Sequence, residues 1–327
     1  MKLRFQIPLL LACVTTIAPA ADQVLAYLAV KGEQIPAFIN DANDKAIQYT
    51  EQKASLLNKQ IALTSIDSIY FMEPASFKEA MELFQGRDYA KAKEKFVEAK
   101  EENKMVDQIP GNYSSLAGYY EMECARLMMD LETLNQLFGG YDSKHLLNET
   151  HLTQLDLYKY WEAVRTESWA RLLAIAASER ERKLPGSQRA QIAYCTGLAL
   201  ERSGKSTDAL SAYNEAFTAD FAGSQEISRA ATLNCFRVIS ENENVQIARE
   251  LFGTDDYAPN SQGAALLIEA AALVTFWDRA LGAGEPLPDK LRAFSKYEKS
   301  KPSGAAAPSD KKADAPADKK ADAPADK

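Results

Sequence analysis

The chain has 327 residues, 46% hydrophobic and 26% charged, which suits either two globular domains or one elongated array. A formal net charge of -8 argues against nucleic acid or an anionic membrane surface as the main partner, because both require clustered Lys and Arg. The two histidines, His145 and His151, leave little material for histidine-based catalysis or metal binding.

Residues 1–21 read as an export signal. Lys2 and Arg4 form a positive start, Phe5 to Ile17 an apolar core, and Ala18-Pro19-Ala20 a small-residue cleavage site. A competing pattern, Leu10-Leu11-Ala12-Cys13, resembles a bacterial lipobox, in which Cys13 would be lipidated and the protein anchored to the outer membrane as part of an assembly or secretion complex. Leu11 stands where a small residue is usual and Val14 to Ile17 prolong the apolar run, so ordinary cleavage is the preferred expectation. Either route predicts the periplasm or cell envelope, with no transmembrane segment. Cys124, Cys195 and Cys235 sit in apolar helical patterns and are expected to be buried thiols.

Residues 22–73 predict about five short strands. Val24 to Val30 alternate and end at Lys31-Gly32; Gln34 to Ile39 follow, closed by the turn-forming cluster Asn40 to Asp44. Lys45–Thr50, Gln60–Leu63 and Ile66–Phe71 complete the set. The layout, with its hydrophobic-Lys-Gly turn and its closing I-x-L-x-x-I-x-S-I-x-F run, resembles an Sm-like or SH3-like β-barrel. A module this small has little core of its own and is expected to dock on the helices behind it.

Residues 74–300 predict helices, opening at Pro74. Gly86 to Ala99 places Tyr89, Ala92, Phe96 and Ala99 in the spacing G-x-x-Y-x-x-A-x-x-x-F-x-x-A. This resembles the second helix of a tetratricopeptide repeat. Decayed copies align on Ala92, Leu134, Leu172, Ala209 and Ala248, separated by 42, 38, 37 and 39 residues. The resemblance implies a mainly α fold: a tetratricopeptide-like α-solenoid of about five hairpins. Gln262–Leu281 and a short charged helix at Asp289–Lys299 are expected to cap it. Residues 301–327, in which Ser309 to Lys327 repeat Asp-Lys-Lys-Ala-Asp-Ala-Pro-Ala, predict a disordered tail.

No P-loop, dinucleotide glycine pattern or nucleophile–histidine–acid order appears. Asp255-Asp256 reads as a loop with capping carboxylates, and His145 and His151 as surface or capping residues. No cofactor, metal or catalytic residue is expected. The resemblance implies a noncatalytic adaptor that holds a protein or peptide in a groove lined by the first helix of each hairpin. By helical phase, the groove residues are Asn112, Tyr113, Tyr158, Lys159, Trp161, Gln191 and Asn234. The Tyr and Trp residues near 119–169 also allow a glycan-binding or glycan-cleaving alternative.

Overall fold

A computed structural model describes residues 23–220, 225–282 and 285–298. The expected export signal, the Cys13 lipobox and the repetitive tail lie outside the described residues. The chain divides into two compact units, up to Asn234 and from Cys235 onwards.

The first unit opens with a five-stranded antiparallel sheet: β1 (Val24–Val30), β2 (Glu33–Ala42), β3 (Ala46–Thr50), β4 (Lys59–Ala62) and β5 (Ser68–Phe71), in the order β4-β3-β2-β1-β5. Lys31 and Gly32 both take positive φ (52° and 83°) between β1 and β2. That two-residue geometry matches the twist of the strands it joins. Alternation buries Val24, Ala26 and Leu28 against Ala37 and Ile39, with Ile47 and Tyr49 on the same layer.

The second strand runs past the expected stop at Ile39. A register shift between Ile39 and Asp41 absorbs the extra Asn40, so pairing continues to Ala42. The turn starts instead at Asn43, whose Oδ1 accepts from the Lys45 and Ala46 amides at 2.9 and 3.0 Å. The sheet's core is completed by Val106 and Ile109, fully buried residues from the chain just after α2 (Tyr89–Glu102).

Helices dominate the rest, twelve among the described residues. Four hairpins follow one another: α1 (Ala75–Gln85) with α2, α3 (Tyr113–Leu127) with α4 (Leu131–Gly139), α5 (Glu149–Arg165) with α6 (Trp169–Ser178), and α7 (Gly186–Arg202) with α8 (Ser206–Ala219). Each is closed by the same three-residue turn. Its central residue is left-handed: Arg87 (φ 65°), Met129 (58°), Glu167 (52°) and Gly204 (75°). The next amide reaches back five residues in every case: Asp88 to Leu83, Asp130 to Ala125, Ser168 to Ala163 and Lys205 to Leu200, all at 2.8–2.9 Å. This is a Schellman closure, in which the left-handed residue lets the last carbonyls of the helix find donors.

Ala92, Leu134, Leu172 and Ala209 each lie five residues beyond the left-handed position and are all buried. Successive helices pack in chain order from α1 to α8, and α5 also packs on α7. Gly197 of α7 lies under the Tyr213 ring of α8, where an added Cβ would sit 2.5 Å from the ring. The Tyr213 hydroxyl then donates to Glu201 Oε2 at 2.7 Å.

The fifth expected hairpin is built differently. Only Asn242 separates α9 (Gln225–Glu241) from α10 (Glu243–Leu251), and it caps α10 by accepting from the Asn244 and Val245 amides. The second unit holds α10, α11 (Gln262–Phe276) and α12 (Asp289–Arg292), with α10 packed on α11. The expected helix to Leu281 turns into a π-helical turn over Trp277–Leu281, and the Trp277 Nε1–H donates to the Glu285 carbonyl at 2.9 Å. The short charged helix ends at Arg292 and continues as a 3-10 turn over Ala293–Tyr297.

The shared turn predicts an asymmetry. Gly204→Ala should lower the unfolding free energy by about 1–2 kcal/mol, the cost of a Cβ in the left-handed region. Glu167→Gly at the equivalent place should cause no loss. Urea unfolding of the two variants checks this; equal losses would show that left-handedness is not what these turns require.

Candidate functional site

Buried side chains of α3, α5 and α7 form polar clusters among largely apolar core residues. Glu123 and Arg126, one turn apart on α3, are both buried and joined by two bonds: Nε to Oε1 at 2.9 Å and Nη2 to Oε2 at 2.7 Å. The Tyr158 hydroxyl of α5 donates to Glu123 Oε1 at 2.7 Å. Burial alone would pull the Arg126 pKa down; the charge and hydrogen bonds of Glu123 reverse that and hold the guanidinium charged. Burial, reinforced by the Glu123 charge, pushes the Tyr158 phenol well up. Beside this pair the His151 ring stacks on Tyr119 at 4.3 Å, and burial lowers its pKa.

A second cluster links α5 to α7. Gln154 and Gln191 exchange two amide hydrogen bonds of 2.9 Å, and Trp161 Nε1–H donates to Gln191 Oε1 at 2.9 Å. The end of the first hairpin reaches α9. Arg87 Nη1 donates to Gln225 Oε1 at 2.5 Å and lies 3.3 Å from Glu226 Oε1, which also accepts from the Tyr89 hydroxyl at 2.9 Å. The buried polar side chains of α3, α5 and α7 are thus committed to one another.

The residues expected to line a groove separate accordingly. Tyr158, Trp161 and Gln191 come together, but as core, at 2%, 1% and 3% exposure. The phase reading assumed one buried face per helix. α5 packs on α4, α6 and α7, so it buries more than one face, and Tyr158, Tyr160 and Trp161 are all inside.

Asn112 is a helix cap. Its Oδ1 accepts from the Ser115 amide at 2.7 Å while Nδ2 donates to the Ile109 carbonyl at 2.7 Å. Tyr113 is half-buried, edge-on to Phe77 at 4.8 Å. Lys159 is held by Asp156 at 3.1 Å and by Glu179. Asn234 is half-buried on α9. The histidines are not at the surface either: His145 is buried and His151 half-buried.

Sequence reasoning missed Glu123, Arg126 and Gln154. The signal available for the first two was an acid and a base one turn apart within Met122–Leu127, an otherwise apolar stretch apart from those two residues. Cys124, Cys195 and Cys235 are buried free thiols. Burial pushes Cys124 up to about 12, so it packs as a small hydrophobe. Among the described residues no group of three or more His, Cys, Asp or Glu is arranged to hold a metal, and no helix is long and apolar enough to cross a membrane.

Two clefts open between neighbouring hairpins. One, of about 310 Å³, lies between α2, α3 and α4 and is lined by Lys100, Gly118, Glu121 and Tyr141. The other, of about 360 Å³, lies between α6, α7 and α8 and is floored by Leu173, Ala176, Ile192, Ala193 and Ala212.

No protein-family model matches this chain, and no characterised protein or solved structure matches it. Any functional reading rests on its own geometry.

Two outcomes are expected from the buried network. Glu123→Ala strands the Arg126 charge and should cost about 3–5 kcal/mol in denaturant unfolding, far more than a surface carboxylate. His151 has a depressed folded pKa, so the unfolded chain takes up the proton first, near 6.5. Its contribution to stability is therefore present above that pH and is lost on acidification below it. His151→Gln should flatten the stability profile between pH 7 and 5; an unchanged slope would show that other groups set it.

Proposed function

We propose that this chain is an exported, noncatalytic scaffold of the bacterial cell envelope. In this reading a tetratricopeptide-like α-solenoid follows a small Sm-like or SH3-like barrel, and the hairpins present a rigid surface to a protein or peptide partner. The observation that carries it is the recurrence of one Schellman turn at residues 87, 129, 167 and 204, with a buried residue five positions on and helices packed in chain order. Stacked units of this kind bury a continuous core and leave long surfaces for binding. Preorganisation of that surface keeps the entropy lost on association small.

Burial of the Tyr158 and Trp161 rings weighs against the glycan-platform alternative, which needs open aromatic faces. The strand order β4-β3-β2-β1-β5 is compatible with a barrel whose ends lie at β4 and β5. Burial of Val106 and Ile109 in the sheet's core supports its role as a docked module.

Affinity capture from envelope extract, followed by titration calorimetry with the purified partner, is the direct test. A defined stoichiometric complex with no turnover is expected. Hydrolysis of a peptide or polysaccharide by the purified protein, with nothing specific captured, would end the scaffold reading. Export is checked separately by fusing residues 1–22 to a reporter active only outside the cytoplasm; a cytoplasmic reporter would remove the envelope assignment.

A further inference from the structure

The two clefts occupy the same place in the repeat, and comparing them shows what the second one lacks. Lys100 and Arg180 each stand 13 residues after a left-handed turn residue (100 − 87 and 180 − 167). Glu121 and Thr196 each stand 8 before one (129 − 121 and 204 − 196), and Ser114 and Arg189 each 15 before (129 − 114 and 204 − 189). All six line their respective clefts.

In the first cleft, Lys100 Nζ meets Glu121 Oε2 at 2.5 Å, and the Glu121 side chain is only 7% exposed. The cation at this position is neutralised from within the chain. In the second cleft the carboxylate is gone: Thr196 replaces it, while the cation remains as Arg180 and a second one, Arg189, is added. Arg182 is engaged by Asp156 and Glu179. Arg180 and Arg189 are exposed and have no ion-pair partner among the described residues. Glu215 is the one lining carboxylate left uncommitted, against two uncommitted guanidinium groups. Below them lies the aliphatic floor of Leu173, Ala176, Ile192, Ala193 and Ala212, in a volume that holds one or two side chains and not a domain.

Building on the scaffold reading, we propose that the cleft between α6, α7 and α8 is the partner-binding site, and that its occupant is a peptide segment carrying a side-chain carboxylate beside an aliphatic residue. The carboxylate takes the position that Glu121 fills in the first cleft and is received by Arg180 and Arg189, whose planar forks suit a carboxylate. The aliphatic side chain covers the floor, where it is removed from water. The Thr196 hydroxyl supplies a neutral hydrogen-bonding group at the same position and leaves room for the incoming charge.

The test is a selection of random dodecapeptides displayed on phage against the full-length protein, followed by fluorescence anisotropy of the winners. Binding is measured for the wild type, for Thr196→Glu, which restores an internal carboxylate, and for the double variant Arg180→Ser/Arg189→Ser. Enriched peptides should carry Asp or Glu next to Leu, Ile or Val, and both variants should weaken them at least tenfold while circular dichroism stays unchanged. The exposed arginine pair carries the test should Thr196→Glu fail to fold. Winners without acids, or winners insensitive to these substitutions, would overturn the cleft assignment and leave the scaffold reading standing. No enrichment at all would overturn the peptide assignment, while the scaffold reading would still stand or fall by the affinity capture. Binding of octanoate, with no peptide enriched, would make the occupant a free acyl anion and overturn the peptide assignment.

Discussion

A helix that must reverse within three residues needs one of them in the left-handed region, and the first unit is built on meeting that demand four times. Arg87, Met129, Glu167 and Gly204 supply it, three of them with a Cβ that makes the conformation unfavourable by roughly 1–2 kcal/mol each. The strain is held because each turn satisfies helix-end carbonyls and delivers the next helix to within packing distance. Ala92, Leu134, Leu172 and Ala209, each five residues on, are then buried. Where the turn is absent, between α9 and α10, the cap of Asn242 replaces it and the division between the two compact units falls within α9.

A buried ion pair in such an array is a specificity device as much as a source of stability. Glu123 and Arg126 sit among apolar neighbours, where removing two charges from water costs several kcal/mol that their mutual attraction only partly returns. What the pair adds is direction: Glu123 accepts from Tyr158 of the next hairpin, and the Gln154–Gln191–Trp161 cluster repeats the device one hairpin later. An apolar interface alone would tolerate sliding of one helix past another. Hydrogen bonds that lose their partners on sliding do not.

Tyr158, Trp161 and Gln191 are committed to the core, so the open clefts lie elsewhere. The clefts beside α3 and α7 are lined by residues at matching offsets from the closing turns but of different charge. In one, the lysine and glutamate cancel; in the other, two exposed arginines without an ion pair among the described residues line a cleft together with aliphatic side chains. The same closing turn with different side chains after and before it gives one cleft with an internal ion pair and one without.

Much of this was legible from the chain alone, because it depends on near neighbours in sequence. The strand Val24–Val30, the turn at Lys31-Gly32, and the spacing of 42, 38 and 37 residues between equivalent hairpins follow from alternation, turn chemistry and periodicity, all local properties. The extension of β2 past Ile39 was not legible, since a bulge depends on what the partner strand can pair. Nor were the fates of Tyr158, Trp161 and Gln191. Helical phase says which residues share a face, but only tertiary packing decides how many faces of α5 are covered. The same holds for Arg180 and Arg189: sequence makes them cations, whereas their lack of an ion pair among the described residues is a fact of three-dimensional neighbours. Sequence determined the repeating unit; packing decided which of its charges were left without partners, because burial and pairing depend on residues far apart in the chain.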